Sequence, residues 1–309
     1  GDLCRVAKQD DPYARGPDEQ LSLDGASVPF WLLHLFAVAA FFFPFRWSNV
    51  AAFAVAYCLG TFGIMAGYHR YFSHRSFKTG RVFQFVLAAL GSLTSQKGVL
   101  WWSGHHRNHH KYSDTPLDIH SPKRGFFWSH ALWFLSKKYV ATSESQQREF
   151  AKYPELAFLN ENWAIGPVVL CATMLALGGL PWLFWGGFLA IVAMWHATFT
   201  VNSLAHVWGT RRYETTDTSR NNPLLALITF GEGWHNNHHH YQSSARNGFF
   251  WWEIDVTFYV LKALSWVGVV WDLRVPPAWV LEGAAGPTRQ GDAAAAAEEE
   301  DAAGVAKTG

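Results

Sequence analysis

Four apolar windows without a charged side chain constrain this chain more than any other feature. They span residues 29–45, 50–68, 163–178 and 180–201, and none contains Asp, Glu, Lys or Arg. Each approaches the roughly 17–25 residues that a helix needs to cross a bilayer, although the first and third are short. The sequence therefore predicts an all-α integral membrane protein with four transmembrane helices.

Two short connectors join these windows into helical hairpins. The connectors, residues 44–49 and 178–181, carry a single Arg between them. The segment from residue 70 to residue 152, by contrast, is rich in Lys and Arg. Under the positive-inside rule, this asymmetry predicts that both termini and the long polar segments lie on the cytoplasmic side. We therefore expect a multi-pass protein with a cytoplasmic helical cap.

Composition divides the chain into three parts. Residues 1–27 form a polar segment without the apolar core of a signal peptide, so secretion is not expected. Residues 28–282 form the membrane domain, and residues 283–309 are predicted to be a disordered tail because they offer almost nothing to pack. Shorter apolar runs, such as 82–93 and 256–270, are too short to span and are expected to be interfacial or cap-core helices.

Composition also argues against several functional classes. The 17 Trp residues suit membrane–water interfaces better than a soluble core. The formal net charge of +1 gives no reason to expect a nucleic-acid partner. Cys4, Cys58 and Cys171 are odd in number and far apart, so neither a disulfide framework nor a Cys-rich metal site is expected.

The placement of histidines is the second strong signal. The chain has 15 His, and within residues 106–110 and 235–239 they follow an i, i+3, i+4 spacing that puts three imidazoles on one helix face. His69 and His74 are five residues apart, so we expect His69 at the end of the second span and His74 beyond it. Asn202 and His206 are four apart and are expected to share a helix face.

This number of imidazoles predicts more than one metal ion. Imidazole suits Fe, Zn, Cu and Ni, so ligand type alone does not select the metal. One zinc site takes three or four protein ligands, and the candidates here suit two ions of higher coordination number. The candidate ligands are His69, His74, His106, His109, His110, His206, His235, His238 and His239. The zinc-protease motif His-Glu-x-x-His is absent.

The other six histidines are expected to be satisfied polar residues. They are His34, His105, His120, His130, His196 and His240. His34 and His196 lie inside predicted spans, where a haem-ligand role stays open.

At these motifs the sequence resembles the membrane fatty acyl desaturases of the stearoyl-CoA (Δ9) type. The resembling segments are 67–75, 125–130, 201–206 and 231–239. The resemblance covers about residues 69–277 and is most specific in the last segment. It implies an O₂-dependent enzyme that introduces a cis double bond into a long-chain acyl group with two iron ions. It also implies that the nine histidines bind the irons and that Asn202 holds a water on one of them.

The same resemblance implies substrate contacts. The matching positions are Gln96, Trp102, Lys137 and Lys138. The first two match positions that line a bent acyl tunnel beside the metals, and the lysine pair matches residues that meet CoA phosphates. Gly104-His105 stands where animal relatives carry an Arg-Asp pair that contacts CoA. Acyl-CoA is the expected substrate, with an acyl lipid or acyl-carrier protein as alternatives.

Two further expectations concern the surroundings of the metals and the supply of electrons. Carboxylates should orient the metal-bound imidazoles through their second ring nitrogen, and the candidates are Asp114, Asp118, Glu232 and Asp255. The chain has no dinucleotide-binding, iron–sulfur or haem-domain motif. An external electron donor, such as cytochrome b5 or a ferredoxin with its reductase, is therefore expected.

Two other functions stay open. Hydroxylases and decarbonylating enzymes share the three histidine motifs, which lie here at residues 69–74, 106–110 and 235–239. They differ from desaturases in the product that forms from the substrate radical. A metal-transporting or metal-sensing membrane protein is the non-enzymatic alternative. Transport would need polar groups through the spans, where only His34 and His196 stand.

Overall fold

The protein is described by a computed structural model that covers residues 12–14, 16, 19, 27–141 and 148–283. Most of the predicted N-terminal segment 1–27, and the predicted tail beyond residue 283, lie outside the described residues. The helical prediction is confirmed for the part of the chain that the structure describes. The α-helices are α1 Val28–Ala39, α2 Trp47–Phe62, α3 Arg81–Ser92, α4 Val99–Tyr112, α5 Arg148–Ala151, α6 Pro154–Glu161, α7 Ile165–Trp182, α8 Ala190–Asn202, α9 Leu204–Val207, α10 Pro223–Ile228, α11 His235–His240, α12 Val256–Trp266 and α13 Ala278–Leu281.

Tighter and wider helical turns extend several of these helices. The 3₁₀ turns are Ala40–Phe42, Pro122–Arg124, Trp133–Leu135 and Lys137–Tyr139, and the π-helices are Gly63–Ser73, Trp128–Leu132 and Leu183–Leu189. One small antiparallel sheet pairs β1 Lys78–Thr79 with β2 Val270–Trp271, with Lys78 opposite Trp271. This sheet ties the chain after the first histidine motif to the segment after α12.

α1 and α2 follow each other through a short connector, as the sequence predicts. α1 and its 3₁₀ extension end at Phe42, the backbone becomes extended at Phe43, and Pro44 prevents the helix from resuming at once. α2 then begins at Trp47 and continues without interruption as the π-helix Gly63–Ser73. His69 lies near the end of this long helix and His74 just beyond it, as the spacing predicts.

The second hairpin turns at one glycine. Gly179 has φ +66° and ψ −159°, a conformation that only glycine adopts readily, and Pro181 follows it. The two legs pack against each other, since a Cβ atom at Gly187 would lie 3.2 Å from Sγ of Cys171. The break falls inside the predicted connector 178–181.

The apolar helices leave large side chains uncovered. Trp47–Ser73 and Ile165–Val207 are the two described helices long and apolar enough to cross a membrane, the second being the hairpin that turns at Gly179. Val28–Phe42 and Arg81–Ser92 are shorter apolar helices. Leu35 and Leu177 are more than 60% exposed, and such surfaces are typical of a lipid or protein contact rather than of water.

Close helix packing positions the first histidine motif. A Cβ atom at Gly63 would lie 2.2 Å from the backbone nitrogen of Gly91, so the π-helix and α3 touch backbone to backbone. Gly91 in turn accommodates the ring of Tyr68, which is fully buried. Because this crossing leaves no room for side chains, the helix end that carries His69 is packed tightly against α3.

Candidate metal centre

The nine predicted histidines gather into two groups. The five-histidine cluster contains His69, His74, His106, His110 and His238, and the four-histidine cluster contains His109, His206, His235 and His239. Within each cluster, one ring nitrogen from every residue lies within 4.8 Å of the others. The structure therefore brings together all nine of these candidates.

Helix geometry explains how two motifs serve both clusters. His106 and His110 are one turn apart on α4, and their Nε2 atoms lie 2.9 Å from each other. His109 is rotated by about 100° from its neighbour in sequence and reaches the other cluster. α11 repeats the arrangement, since His235 and His239 join the four-histidine cluster and His238 joins the five-histidine cluster.

The imidazoles point their Nε2 atoms at one another. The Nε2–Nε2 distance is 3.1 Å for His69 and His238, 2.9 Å for His74 and His106, and 3.0 Å for His235 and His206. Nε2 of His239 is buried and has no hydrogen-bond partner. Converging nitrogen lone pairs of this kind repel each other, and a bound cation removes the repulsion. The donor set fits metal ions that accept imidazole ligands.

Three carboxylates orient the four-histidine cluster. Nδ1 of His109 lies 3.0 Å from Asp118, Nδ1 of His206 lies 3.1 Å from Asp114, and Nδ1 of His239 lies 2.7 Å from Asp217. A carboxylate accepts a hydrogen, so each Nδ1 carries the proton and each Nε2 offers its lone pair to the cluster. The predictions for Asp114 and Asp118 are confirmed. Sequence reasoning missed Asp217, because nothing distinguishes it from a solvated loop carboxylate.

A buried ion network supports the five-histidine cluster. Nδ1 of His69 lies 2.9 Å from Oε2 of Glu232, and the other oxygen of Glu232 lies 2.9 Å from the guanidinium of Arg70. Arg70 also binds Asp255 at 2.9 Å and the carbonyl of Ala245 at 2.6 Å. Asp255 therefore binds Arg70 and not a histidine, so the prediction that it orients an imidazole is wrong. Glu232 does take that role.

The environment keeps the ring nitrogens available. Burial lowers the pKa of His106, His110, His235 and His238 well below the ordinary value, and neighbouring imidazoles add to the effect. These rings are thus neutral at pH 7, the form that binds metal. Burial would raise the pKa of Asp118, but its interactions with His109 and His120 and the hydrogen bond from the backbone N–H of Asp114 together lower that pKa to about 2. Asp118 is therefore an anion at neutral pH.

An apolar cavity of about 400 Å³ adjoins the five-histidine cluster. Its wall includes Phe30, Trp195, Phe199 and His106, and the predicted substrate residues Gln96 and Trp102. The Trp102 ring is stacked on His106 with centroids 5.0 Å apart. Trp102 also donates to Gln96 at 3.4 Å, and Gln96 donates to Thr198 at 3.1 Å. Thr198 is a further wall residue that the sequence did not single out.

Lys137 and Lys138, which are predicted to bind the acyl carrier, have different surroundings. Lys137 lines the cavity, together with His105. Nζ of Lys138 lies 3.0 Å from Oε1 of Glu19, a buried carboxylate that also binds Arg124 and Tyr139. Burial would raise the pKa of Glu19, but these partners lower it to about 2. Lys138 thus already has an anionic partner from the N-terminal segment.

Asn202 does not share a helix with His206. Ser203, with φ −113° and ψ −73°, separates α8 from α9, so the predicted common face is wrong. Asn202 lines the cavity, whereas His206 joins the four-histidine cluster. The sequence spacing does not reveal this break, because Asn202 and His206 are four positions apart whether the helix is continuous or interrupted.

Three of the other histidines bind one another. His34 contacts His196 at 3.0 Å, His196 contacts His130 at 3.0 Å, and His130 contacts the hydroxyl of Ser203 at 2.8 Å. At one end of this chain, Nδ1 of His34 lies 2.7 Å from the carbonyl oxygen of Phe30. At the other end, the hydroxyl of Ser203 donates to the carbonyl oxygen of Phe199 at 2.9 Å. This chain satisfies the three rings with protein groups, as predicted for polar residues inside helices.

The remaining three histidines also have protein contacts, and His120 contacts a member of the four-histidine cluster. His105 lies 2.8 Å from the carbonyl of Trp101, His120 is stacked on His109, and His240 is stacked on Tyr213. His120 can form a third group with His109 and Asp118, but Asp118 already binds Nδ1 of His109. These residues therefore surround the clusters.

Comparison with known proteins agrees with this architecture. A family model described as fatty acid desaturase matches residues 45–267, which include all nine histidines. A sn-1 stearoyl-lipid 9-desaturase of Synechocystis sp. is 40% identical over 256 residues, covering 80% of this chain and 79% of that protein. An acyl-CoA C20 Delta5-desaturase of Anemone leveillei is 37% identical over 248 residues, covering 79% and 78%.

A third relative is also named for a lipid-linked acyl group. A chloroplastic palmitoyl-monogalactosyldiacylglycerol delta-7 desaturase of Arabidopsis thaliana is 36% identical over 256 residues, covering 82% of this chain and 69% of that protein. The family model spans well over half of the chain, and each of these relatives is more than 30% identical over most of it. On the evidence of the paired histidine clusters and these matches, the chain belongs to the fatty acid desaturase family.

Proposed function

We propose that the protein is an O₂-dependent di-iron desaturase that introduces a cis double bond, at position 9, into a saturated long-chain acyl group. The observation that supports this most is the position of the apolar cavity, whose wall contains His106 of the five-histidine cluster. The nine histidines would hold the two irons, and Asn202, which faces the cavity, would hold a water on one of them. Position 9 follows the Synechocystis relative, and other relatives are named for positions 5 and 7.

The irons, when bound, would supply the oxidising power that an unactivated methylene requires and that no side chain has. The protein supplies position and exclusion of water. Trp102, held by Gln96 and stacked on His106, would fix the acyl chain where it passes the metals. Fixing two adjacent methylenes beside the oxidant, and no others, is what determines where the double bond forms. The aromatic wall keeps water away from the reacting carbons.

We also propose four membrane crossings with the metal centre on the cytoplasmic side. Both hairpins would cross, and their exposed apolar faces would meet lipid. The Lys and Arg bias of the segment between the hairpins supports a cytoplasmic cap. The acyl chain would then enter the cavity from the side of the cap.

The acyl carrier is tested at the two lysines. Lys137 faces the cavity, whereas Lys138 is paired with Glu19. If acyl-CoA binds here, Lys137→Glu raises its KM about 10–100-fold, the size of a lost charge-assisted contact with phosphate. Lys138→Glu is the matched control and raises KM less. An unchanged KM for both variants would exclude CoA from this entrance and make a lipid-linked acyl group the substrate.

Turnover should require a separate electron donor. The sequence contains no motif for a flavin, nicotinamide, haem or iron–sulfur group. We therefore expect no product from purified protein, NADPH and O₂ alone, and product when cytochrome b5 or ferredoxin is added with its reductase. Multiple turnovers without an added donor would show that this expectation is wrong.

Expression in a host that lacks unsaturated fatty acids tests the function itself. The lipids of that host, analysed by gas chromatography and mass spectrometry, should gain a cis-monounsaturated chain only in the presence of O₂. Cells expressing a His238→Ala variant provide the background. Hydroxylated chains instead of unsaturated ones would favour the hydroxylase alternative, and unchanged lipids with well-inserted protein would contradict the proposal.

A further inference from the structure

The two histidine clusters differ in the charge that stands behind them. In the four-histidine cluster, Asp114, Asp118 and Asp217 each accept a hydrogen bond from an imidazole Nδ1. All three carboxylates are buried, with at most 5% of the residue exposed. Among the described residues, none of the three carboxylates forms an ion pair with a Lys or Arg side chain. Their negative charge is therefore directed at the histidines.

The five-histidine cluster has much less of this support. His69 faces Glu232, but Arg70 binds the other oxygen of that carboxylate and shares its positive charge with Asp255. Nδ1 of His110 and Nδ1 of His238 are buried without a hydrogen-bond partner. Two of its five imidazoles thus lack a protein partner at Nδ1 within the part of the chain that the structure describes, as does His235 in the four-histidine cluster. One carboxylate faces the five imidazoles, whereas three carboxylates face the four.

This difference should change the affinity for a cation. A carboxylate that binds Nδ1–H makes the imidazole a better donor, and loss of one such partner lowers metal affinity by about 10–100-fold. Burial weakens screening by salt, so the charge acts at nearly full strength. The five-histidine cluster has one more imidazole, which by itself would raise its affinity for a cation. Water can fill the coordination position that an imidazole leaves open, however, whereas nothing replaces a missing charge.

We propose that the two metal positions fill in a fixed order, the four-histidine cluster first and the five-histidine cluster second. The proposal rests on the two-metal site of the proposed function. Asp114, Asp118 and Asp217 would then be positioning residues that determine the order. The more weakly held ion would lie on the side of the apolar cavity, because His106 belongs to the five-histidine cluster and lines that cavity.

Equilibrium binding of Zn²⁺ to the metal-free full chain in detergent tests the order, with a competing chelator to resolve tight binding. We expect two steps of different affinity. His235→Ala should remove the tighter step and leave the weaker one, since His235 belongs to the four-histidine cluster. His238→Ala, three residues away on the same helix, should remove only the weaker step.

Charge variants test the cause. Asp217→Asn keeps an oxygen that can accept from His239 but removes the charge, so it should weaken the tighter step about 10-fold or more and leave the weaker step unchanged. Glu232→Gln is the matched variant and should weaken only the second step. Asp118→Asn lies on a different loop and gives an independent measurement if Asp217→Asn fails to fold.

The possible outcomes of these experiments test the order of filling separately from the existence of a two-metal site. Fewer than two ions on the wild-type chain would overturn both. Two ions of equal affinity, or loss of the tighter step in His238→Ala, would leave the two-metal site standing and overturn the order. An unchanged tighter step in a folded Asp118→Asn variant would show that the carboxylates do not determine the order, which also overturns the proposal.

Discussion

We expect replacement of His238 with alanine to reduce double-bond formation to background while the protein remains inserted in the membrane. His238 contributes Nε2 to the five-histidine cluster, 3.1 Å from His69 and 3.0 Å from His110. Loss of this nitrogen leaves the cluster one ligand short, and an ion held by fewer imidazoles binds less tightly. We therefore expect both the iron content of the purified protein and its turnover to fall.

His240→Ala is the matched control for this loss. His240 lies on the same helix, α11, but its ring is stacked on Tyr213 outside both clusters. Iron content and turnover of that variant should stay within a few-fold of the wild-type values. Full activity of His238→Ala would remove His238 from the ligand set, and equal loss in both variants would show that the effect is on folding of α11.

We expect replacement of Arg70 with methionine to prevent accumulation of the folded protein. Arg70 is fully buried and binds two carboxylates, Glu232 and Asp255. Removing the guanidinium leaves both carboxylates buried and without their cation, and breaking a buried ion pair from one side costs about 3–5 kcal/mol. A loss of this size is a large fraction of the stability of a typical domain. The loss also releases Glu232, the partner of His69.

Thermal unfolding in detergent measures this effect, with Arg81→Met as the matched control. Arg81 binds Glu155 on an exposed part of the surface, where ion pairs contribute little to stability. We expect an unfolding temperature close to wild type for Arg81→Met and little monodisperse protein for Arg70→Met. Similar unfolding of the two variants would contradict a supporting role for the buried network.

The sequence predicted the helices well because the signals for them are local. An uncharged apolar window of sufficient length favours a helix whatever the rest of the chain contains. The sequence Gly178-Gly179-Leu180-Pro181 marks the turn, where the backbone at Gly179 has a positive φ. The break at Ser203 was missed because no glycine or proline marks it. At the break, the hydroxyl of Ser203 contacts His130, which lies 73 residues earlier in the chain, and a local sequence pattern does not reveal such a contact.

The sequence predicted which histidines come together, but it did not predict how they divide into two clusters. The i, i+3, i+4 spacing identifies imidazoles on one side of a helix, but it does not say which of them meet partners from other helices. His109 separates from His106 and His110 because His206 and His239 approach from elsewhere. Asp217 and Glu19 were missed for the same reason, since their partners lie more than 20 residues away in the sequence.

We propose that this chain, loaded with two irons, removes two hydrogens from adjacent carbons of a saturated acyl chain. The most direct measurement follows purified iron-loaded protein with a reduced donor, O₂ and a long-chain acyl substrate, and counts product, O₂ and electrons. We expect one cis double bond for each O₂ and each two electrons consumed, with no oxygen atom from O₂ in the acyl product. Hydroxylated product, or an unaltered chain despite two bound irons, would contradict the account.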